Sequence, residues 1–200
     1  MLIERDLPLR IDALVSQAYA AFSPALPSQN QADLLSFLFE RLAGQLREQG
    51  FTAAEVDAVL SLRPVQLSLV PKQLAAVRAF AALPEAPALA SANKRVGNIL
   101  KKSDDAPLVE VQTSRLVEPA EQALWAALQQ VGPQAQAALS AGDLTASLQA
   151  LAVLKEPVDA FFDAVMVNAE DPALRANRLA LLRALHGAMN QVADLSRLAA

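Results

Sequence analysis

Ala92-Asn93-Lys94-Arg95-Val96-Gly97-Asn98-Ile99-Leu100-Lys101-Lys102 carries four cations and no acid, in a chain of 200 residues whose formal net charge is −4. Lysine and arginine at this density can neutralise phosphates, and an asparagine amide can pair with the edge of a base. At 100° per residue Leu89, Ala92, Val96, Ile99 and Leu100 fall on one side of a helix. Lys94, Asn98 and Lys101 fall on the other side, flanked by Arg95 and Lys102. One face can dock on a core while the other offers a basic, amide-bearing surface to a polyanion. Taken alone, such a run reads first as a solvated helix face.

A second basic segment closes the chain. Residues 172–200 hold Arg175, Arg178, Arg183 and Arg197 against Asp194. Arg175 and Asn177 lie on the same turn as Arg178. Arg178 falls within the inward stripe of Leu174, Leu181, Leu185, Met189, Val192 and Ala199, where a guanidinium must be paired. Asp159 or Asp163 on the preceding helix is the expected partner. The alternative is that this turn is uncovered and Arg178 meets a phosphate or base. Between the two basic segments, residues 104–171 hold eleven acids against Arg115 and Lys155. A cationic patch on an acidic protein, pI about 5.0, is how a selective polyanion binder would look; indiscriminate nucleic-acid binding needs a broadly basic surface.

Catalytic chemistry is thinly provided. His186 is the single histidine and reads as a surface residue rather than a general base. With no cysteine there is no thiolate nucleophile and no cysteine metal site. The six glycines are isolated, and no phosphate-cradling glycine loop occurs. Asp159 and Asp163, one turn apart, read as structural. The chain by itself is expected to catalyse nothing.

The elements that must position the basic residues are all helical. The composition is 54% apolar with six glycines, and alanine, leucine and glutamine outweigh β-branched residues. The spacing predicts helices over 6–22, 30–49, 53–60, 71–83, 85–102, 118–131 (interrupted at Gly132-Pro133, then resuming to 141) and 144–154, one starting at Glu156-Pro157 with Phe161, Phe162, Val165 and Met166 apolar, and a last one from Pro172 to near the C-terminus. Thr52 and Glu55 form a capping-box signal, Gly50 a stop signal, and Asp143 and Asp171 are caps. Residues 23–28 and 103–113 read as loops. The uncharged runs at 13–32 and 122–142 contain proline and several glutamines or serines, so neither reads as a membrane span. The N-terminus lacks a signal-peptide core, and a soluble protein of the cytosol is expected. The fold class is therefore all-α, a bundle of two packed helical pieces, 1–83 and 84–200, divided near Pro84.

Three separated runs, in order, carry a resemblance. The stretch 92–102 resembles the first helix of the anticodon-binding domain in the β subunit of bacterial glycine–tRNA ligases. Pro157 to Val167 (PVDAFFDAVMV) is similar to that domain's next signature, and Asp171 to Leu182 (DPALRANRLALL) with Val192 to Ser196 to its C-terminal helix. Leu38 to Phe51 resembles the helical region upstream. Pro172 and Gly97 depart from the pattern. The resemblance implies a DALR-type anticodon-binding bundle over 84–200, with 1–83 a helical region preceding it. It implies glycine tRNA as partner, and an α subunit that activates glycine with ATP and Mg2+, leaving no cofactor to this chain. On that basis Lys94, Arg95, Lys101 and Lys102 are assigned to phosphates, with Asn98, Arg175, Asn177 and Arg178 as further tRNA-binding candidates. The alternative is a non-catalytic scaffold that docks another subunit through the acidic middle without touching tRNA.

Overall fold

Helix starts and stops are written locally in this sequence. The computed structural model describes residues 1–22, 30–103 and 110–199. Its helices are α1 (Ile11–Phe22), α2 (Asn30–Glu48), α3 (Ala53–Leu60), α4 (Val70–Ala81), α5 (Ala86–Lys101), α6 (Pro119–Ser140), α7 (Leu144–Ala150), α8 (Lys155–Ala164) and α9 (Pro172–Met189). Short 3-10 turns sit at Leu67–Leu69, Thr113–Arg115, Leu151–Leu154 and Leu195–Leu198. Among the described residues the nearest thing to a strand is one antiparallel bridge, Arg10 with Gln66.

Gly50 stops α2 with φ +91°. Its N–H donates to the Arg47 carbonyl, and the Phe51 N–H donates to that of Leu46, the paired bonds of a Schellman ending. Thr52 and Glu55 then form the expected capping box for α3. The Asp143 and Asp171 carboxylates accept from the first turns of α7 and α9. Each satisfies amide donors a helix start leaves orphaned.

Four expected boundaries need correction. The last helix, expected to run close to the C-terminus, ends as α9 at Met189, and only the short 3-10 turn Leu195–Leu198 follows it. α1 begins at Ile11, not Asp6, because Asp6 takes φ +46° and residues 1–7 coil into turns. The Ile11 N–H is instead fixed by the Val65 carbonyl at 2.8 Å. α6 runs unbroken through Pro133. Proline there forfeits one backbone bond and costs about 3 kcal/mol in an isolated helix, but Leu124, Leu128, Val131 and Ala135 form one buried stripe across it, and burial on both sides offsets the cost. Finally, α8 ends at Ala164, with Val165 extended. Met166, expected on the apolar face, is therefore 74% exposed. The anticipated loop at 23–28 and most of that at 103–113 lie outside the described residues.

The core is continuous across Pro84. Leu74 and Phe80 of α4 are fully buried in the same cluster as Leu89, Val96, Leu124, Phe161, Leu181 and Leu185. α4 packs on α7, and the Asp194 N–H donates to the Ala58 carbonyl at 2.8 Å. Residues 1–83 thus supply α2 to α4 to one shared core, and Pro84 marks the corner between α4 and α5.

A bidentate ion pair ties α4 to the α2–α3 corner. Arg78 Nε and Nη2 donate to the Glu55 carboxylate at 2.7 and 3.0 Å, and Nη2 also to the Gly50 carbonyl. The guanidinium lies 4.3 Å over the Phe51 ring. The bond from Arg78, with those from Thr52, holds the Glu55 carboxyl down at about 2 against burial pushing it up. A lowered carboxylate pKa contributes stability that is complete above the unfolded value near 4.5 and is lost as pH falls toward about 2. Urea unfolding across that window will therefore show a steeper acid decline for the native chain than for Arg78→Met; equal slopes would contradict the role given to this pair.

Candidate nucleic-acid interface

α5 is an alanine-rich helix whose first turn accommodates Pro87, which needs no amide donor there. Its inward side buries Leu89, Ala92, Asn93 and Val96. The register against α9 is set by a reciprocal amide pair. Asn93 Nδ2 donates to Asn190 Oδ1 at 2.9 Å, and Asn190 Nδ2 returns a bond to Asn93 Oδ1 at 3.1 Å. Asn93 has no solvent exposure, so both amides are oriented by each other. One turn on, Gly97 faces His186, whose Nε2 would stand 3.6 Å from a Cβ at that position. This is ordinary contact, and the glycine is not sterically required.

With that face fixed, Lys94, Arg95, Asn98, Lys101 and Lys102 are all at the surface, as the helical spacing requires. Among the described residues no carboxylate lies within ion-pair distance of Lys94, Arg95, Lys101, Lys102 or Arg175. Lys101, in the last turn of α5, also faces the negative end of the helix, which favours a cation there. Two concavities flank the ridge formed by Lys94 and Asn98. One, about 400 Å³, is bounded by Ser91, Arg95, Ile99 and Lys102. The other, about 540 Å³, lies toward α9 and takes in Lys101, His186, Asn190 and Arg197, with Asp57 and Asp194 on its walls. A third cavity, about 430 Å³, sits between residues 1–4 and α2, walled largely by Leu2, Ile3, Leu38, Leu42 and Leu46. Its apolar lining suits it poorly to phosphate.

His186 is half-buried rather than a surface residue. Burial is the main cause that lowers its pKa, Asp194 opposes this, and Lys101 adds to it. Its surroundings therefore favour the neutral imidazole.

The candidates on α9 divide. Arg175 is exposed but lines neither concavity of α5. Asn177 and Arg178 are corrected from tRNA contacts to internal ties. Asn177 is 1% exposed; its Oδ1 accepts from the Gln112 N–H at 2.7 Å and its Nδ2 donates to the Gln112 carbonyl. It holds the chain leading into α6. Arg178, 5% exposed, donates from Nε to Glu121 at 2.6 Å and from Nη1 to the Met166 carbonyl at 2.8 Å. The expected partners are otherwise placed: Asp159 pairs with Lys155 at 3.0 Å, and Asp163 is exposed.

The sequence matches the DALR anticodon binding domain over residues 89–196. That span is more than half of the chain and runs from within α5 to beyond α9. The chain belongs to the DALR anticodon-binding domain family. Over its full length it is also similar to the C-terminal part of glycine–tRNA ligase β subunits. It is 64% identical over 200 residues to that of Thiobacillus denitrificans, 61% to that of Delftia acidovorans and 60% to that of Leptothrix cholodnii. In each case the match takes in all of this chain and 28% of the relative's length.

Within this DALR domain, sequence reasoning passed over Glu121, Asn93 with Asn190, and Phe162. Glu121 carried a readable signal, because it lies on the same inward stripe as Leu124, Leu128 and Val131. It is also the third residue of a capping box with Glu118. Two lone charges, each on an inward stripe of its own helix, are natural partners. Phe162 carried none: only the packing of α8 on α5 places Arg95 Cζ 4.1 Å over its ring.

Proposed function

We propose that this DALR domain reads the anticodon loop of glycine tRNA within a glycine–tRNA ligase. Supporting this is one observation above the others: α5 presents Lys94, Arg95, Asn98, Lys101 and Lys102 outward, its cations without carboxylate partners among the described residues, beside concavities of about 400 and 540 Å³. A loop of unpaired bases is suited to such a face, since its bases can turn outward and be met at their edges. Lys94, Lys101 and Lys102 take phosphates and fix the register, while Asn98, on the ridge between the concavities, meets a base edge. Arg175 extends the basic surface at the start of α9.

Glycine activation would fall to an α subunit, using ATP and Mg2+ there. Neither group is assigned to residues of this chain. Its glycines are isolated, and among the described residues no group of three His, Asp or Glu could hold a metal ion. No described helix is long and apolar enough to cross a membrane. A cytoplasmic setting, where tRNA is charged, is proposed with the function.

Hydroxyl-radical footprinting of glycine tRNA with the 200-residue chain tests the reading. Protection will centre on the anticodon loop and its flanking phosphates. Protection confined to the acceptor stem, or none at concentrations that saturate binding, would overturn it.

A further inference from the structure

The Arg95 guanidinium carbon lies 4.1 Å over the centroid of the Phe162 ring, and a guanidinium backed by one ring can take a second planar group on its other side. We propose that Arg95, backed by Phe162, is a platform on which one outward-turned nucleobase is laid, the smaller concavity along α5 being its seat. This rests on the reading of α5 as an RNA interface. It adds that Arg95 acts by its plane, and so reassigns it from the phosphate contacts.

The support beneath Arg95 is built from the core outward. Phe161 is fully buried, and Phe162 stands edge-on to it, ring centroids 5.5 Å apart and planes at 80°. That pair holds the Phe162 ring, and Arg95 Cζ lies 4.1 Å over its centroid. An arginine so held loses little side-chain freedom when a base arrives, and its weakly hydrated plane stacks readily. Among the described residues it has no carboxylate partner to draw it off the ring. The open concavity it borders, about 400 Å³, leaves room for one small flat ligand to lie along α5. Ile99 supplies an apolar wall, Ser91 and Asn98 supply edge partners, and Lys94 and Lys102 stand where the flanking phosphates of that nucleotide would run. Lysine keeps the charge that a phosphate contact draws on, though without the guanidinium fork, and it cannot serve as a platform.

The test uses the anticodon stem-loop of glycine tRNA, titrated with the native chain, Arg95→Lys, Arg95→Ala and Phe162→Leu over a series of salt concentrations. Arg95→Lys keeps the charge and will weaken binding about tenfold, within the range that base stacking supplies, with the log–log salt slope unchanged. Phe162→Leu will weaken it similarly once folding is confirmed by circular dichroism. An abasic substitution at one loop position will bring the native chain down to the level of Arg95→Lys. Arg95→Lys binding as tightly as the native chain overturns the platform. So does a slope that falls by about 0.7 in Arg95→Ala and is restored in Arg95→Lys, the behaviour of a phosphate contact. No binding by the native chain at any salt would sink the RNA reading itself, whereas native binding matched by Arg95→Lys sinks only the platform.

Discussion

Arg178→Met will unfold at a far lower urea concentration than the native chain, losing about 3–5 kcal/mol at pH 7. The reason lies in what the substitution leaves behind. Glu121 has no solvent exposure, and its second oxygen is already committed to the Glu118 N–H at 2.8 Å. Removing the guanidinium leaves a fully buried carboxyl group without its partner and the Met166 carbonyl without its donor. Replacing both partners, as Glu121→Leu with Arg178→Met, will recover much of the loss, because apolar groups of similar volume need no compensation. Recovery will be incomplete, since the Met166 carbonyl is still unpaired and the α6 capping box is gone. The folded fraction of Arg178→Met will bind tRNA with native affinity. An unchanged unfolding midpoint, or a specific loss of tRNA affinity, would return Arg178 to the interface.

Arg178 also shows how far the sequence is legible. A charge inside an apolar stripe announces a buried partner, and that much follows from periodicity. Which partner is a question of tertiary packing across 57 residues, and proximity in sequence pointed wrongly to α8. Asn177 shows the converse failure: an amide beside two arginines looks like a reader of bases, but it holds the Gln112 backbone instead. Neither the stripe nor the charge pattern encodes where a connecting segment will pass. Local devices were fully legible, as the capping box at Thr52 and the stop at Gly50 show, because their physics is complete within a few residues. Pro133 was misread for the same reason, since a local penalty says nothing of the burial that offsets it. On α5 the exposed set followed directly from helical spacing, while the ring beneath Arg95 did not.

The largest effect on binding is expected from the lysines. Lys94→Ala, Lys101→Ala and Lys102→Ala together will weaken tRNA binding about a hundredfold near 0.1 M salt. The log–log salt slope will become shallower by about two, at roughly 0.7 for each phosphate left without its cation. All three side chains are exposed and none forms an ion pair with a described residue, so the folded structure has little to lose. Phosphates carry no sequence information. The triple variant should therefore lose affinity for every tRNA in the same proportion and keep whatever discrimination the native chain has.

The most direct measurement is a set of four binding isotherms over a salt series: native chain and triple variant, each with glycine tRNA and with the same tRNA carrying a swapped anticodon. The native chain should prefer the correct anticodon by about tenfold or more for each base that is read, and the triple variant should show the same preference at lower affinity with a shallower slope. Equal affinity of the native chain for both tRNAs, or a triple variant whose slope matches the native one, would contradict anticodon reading on this face of α5.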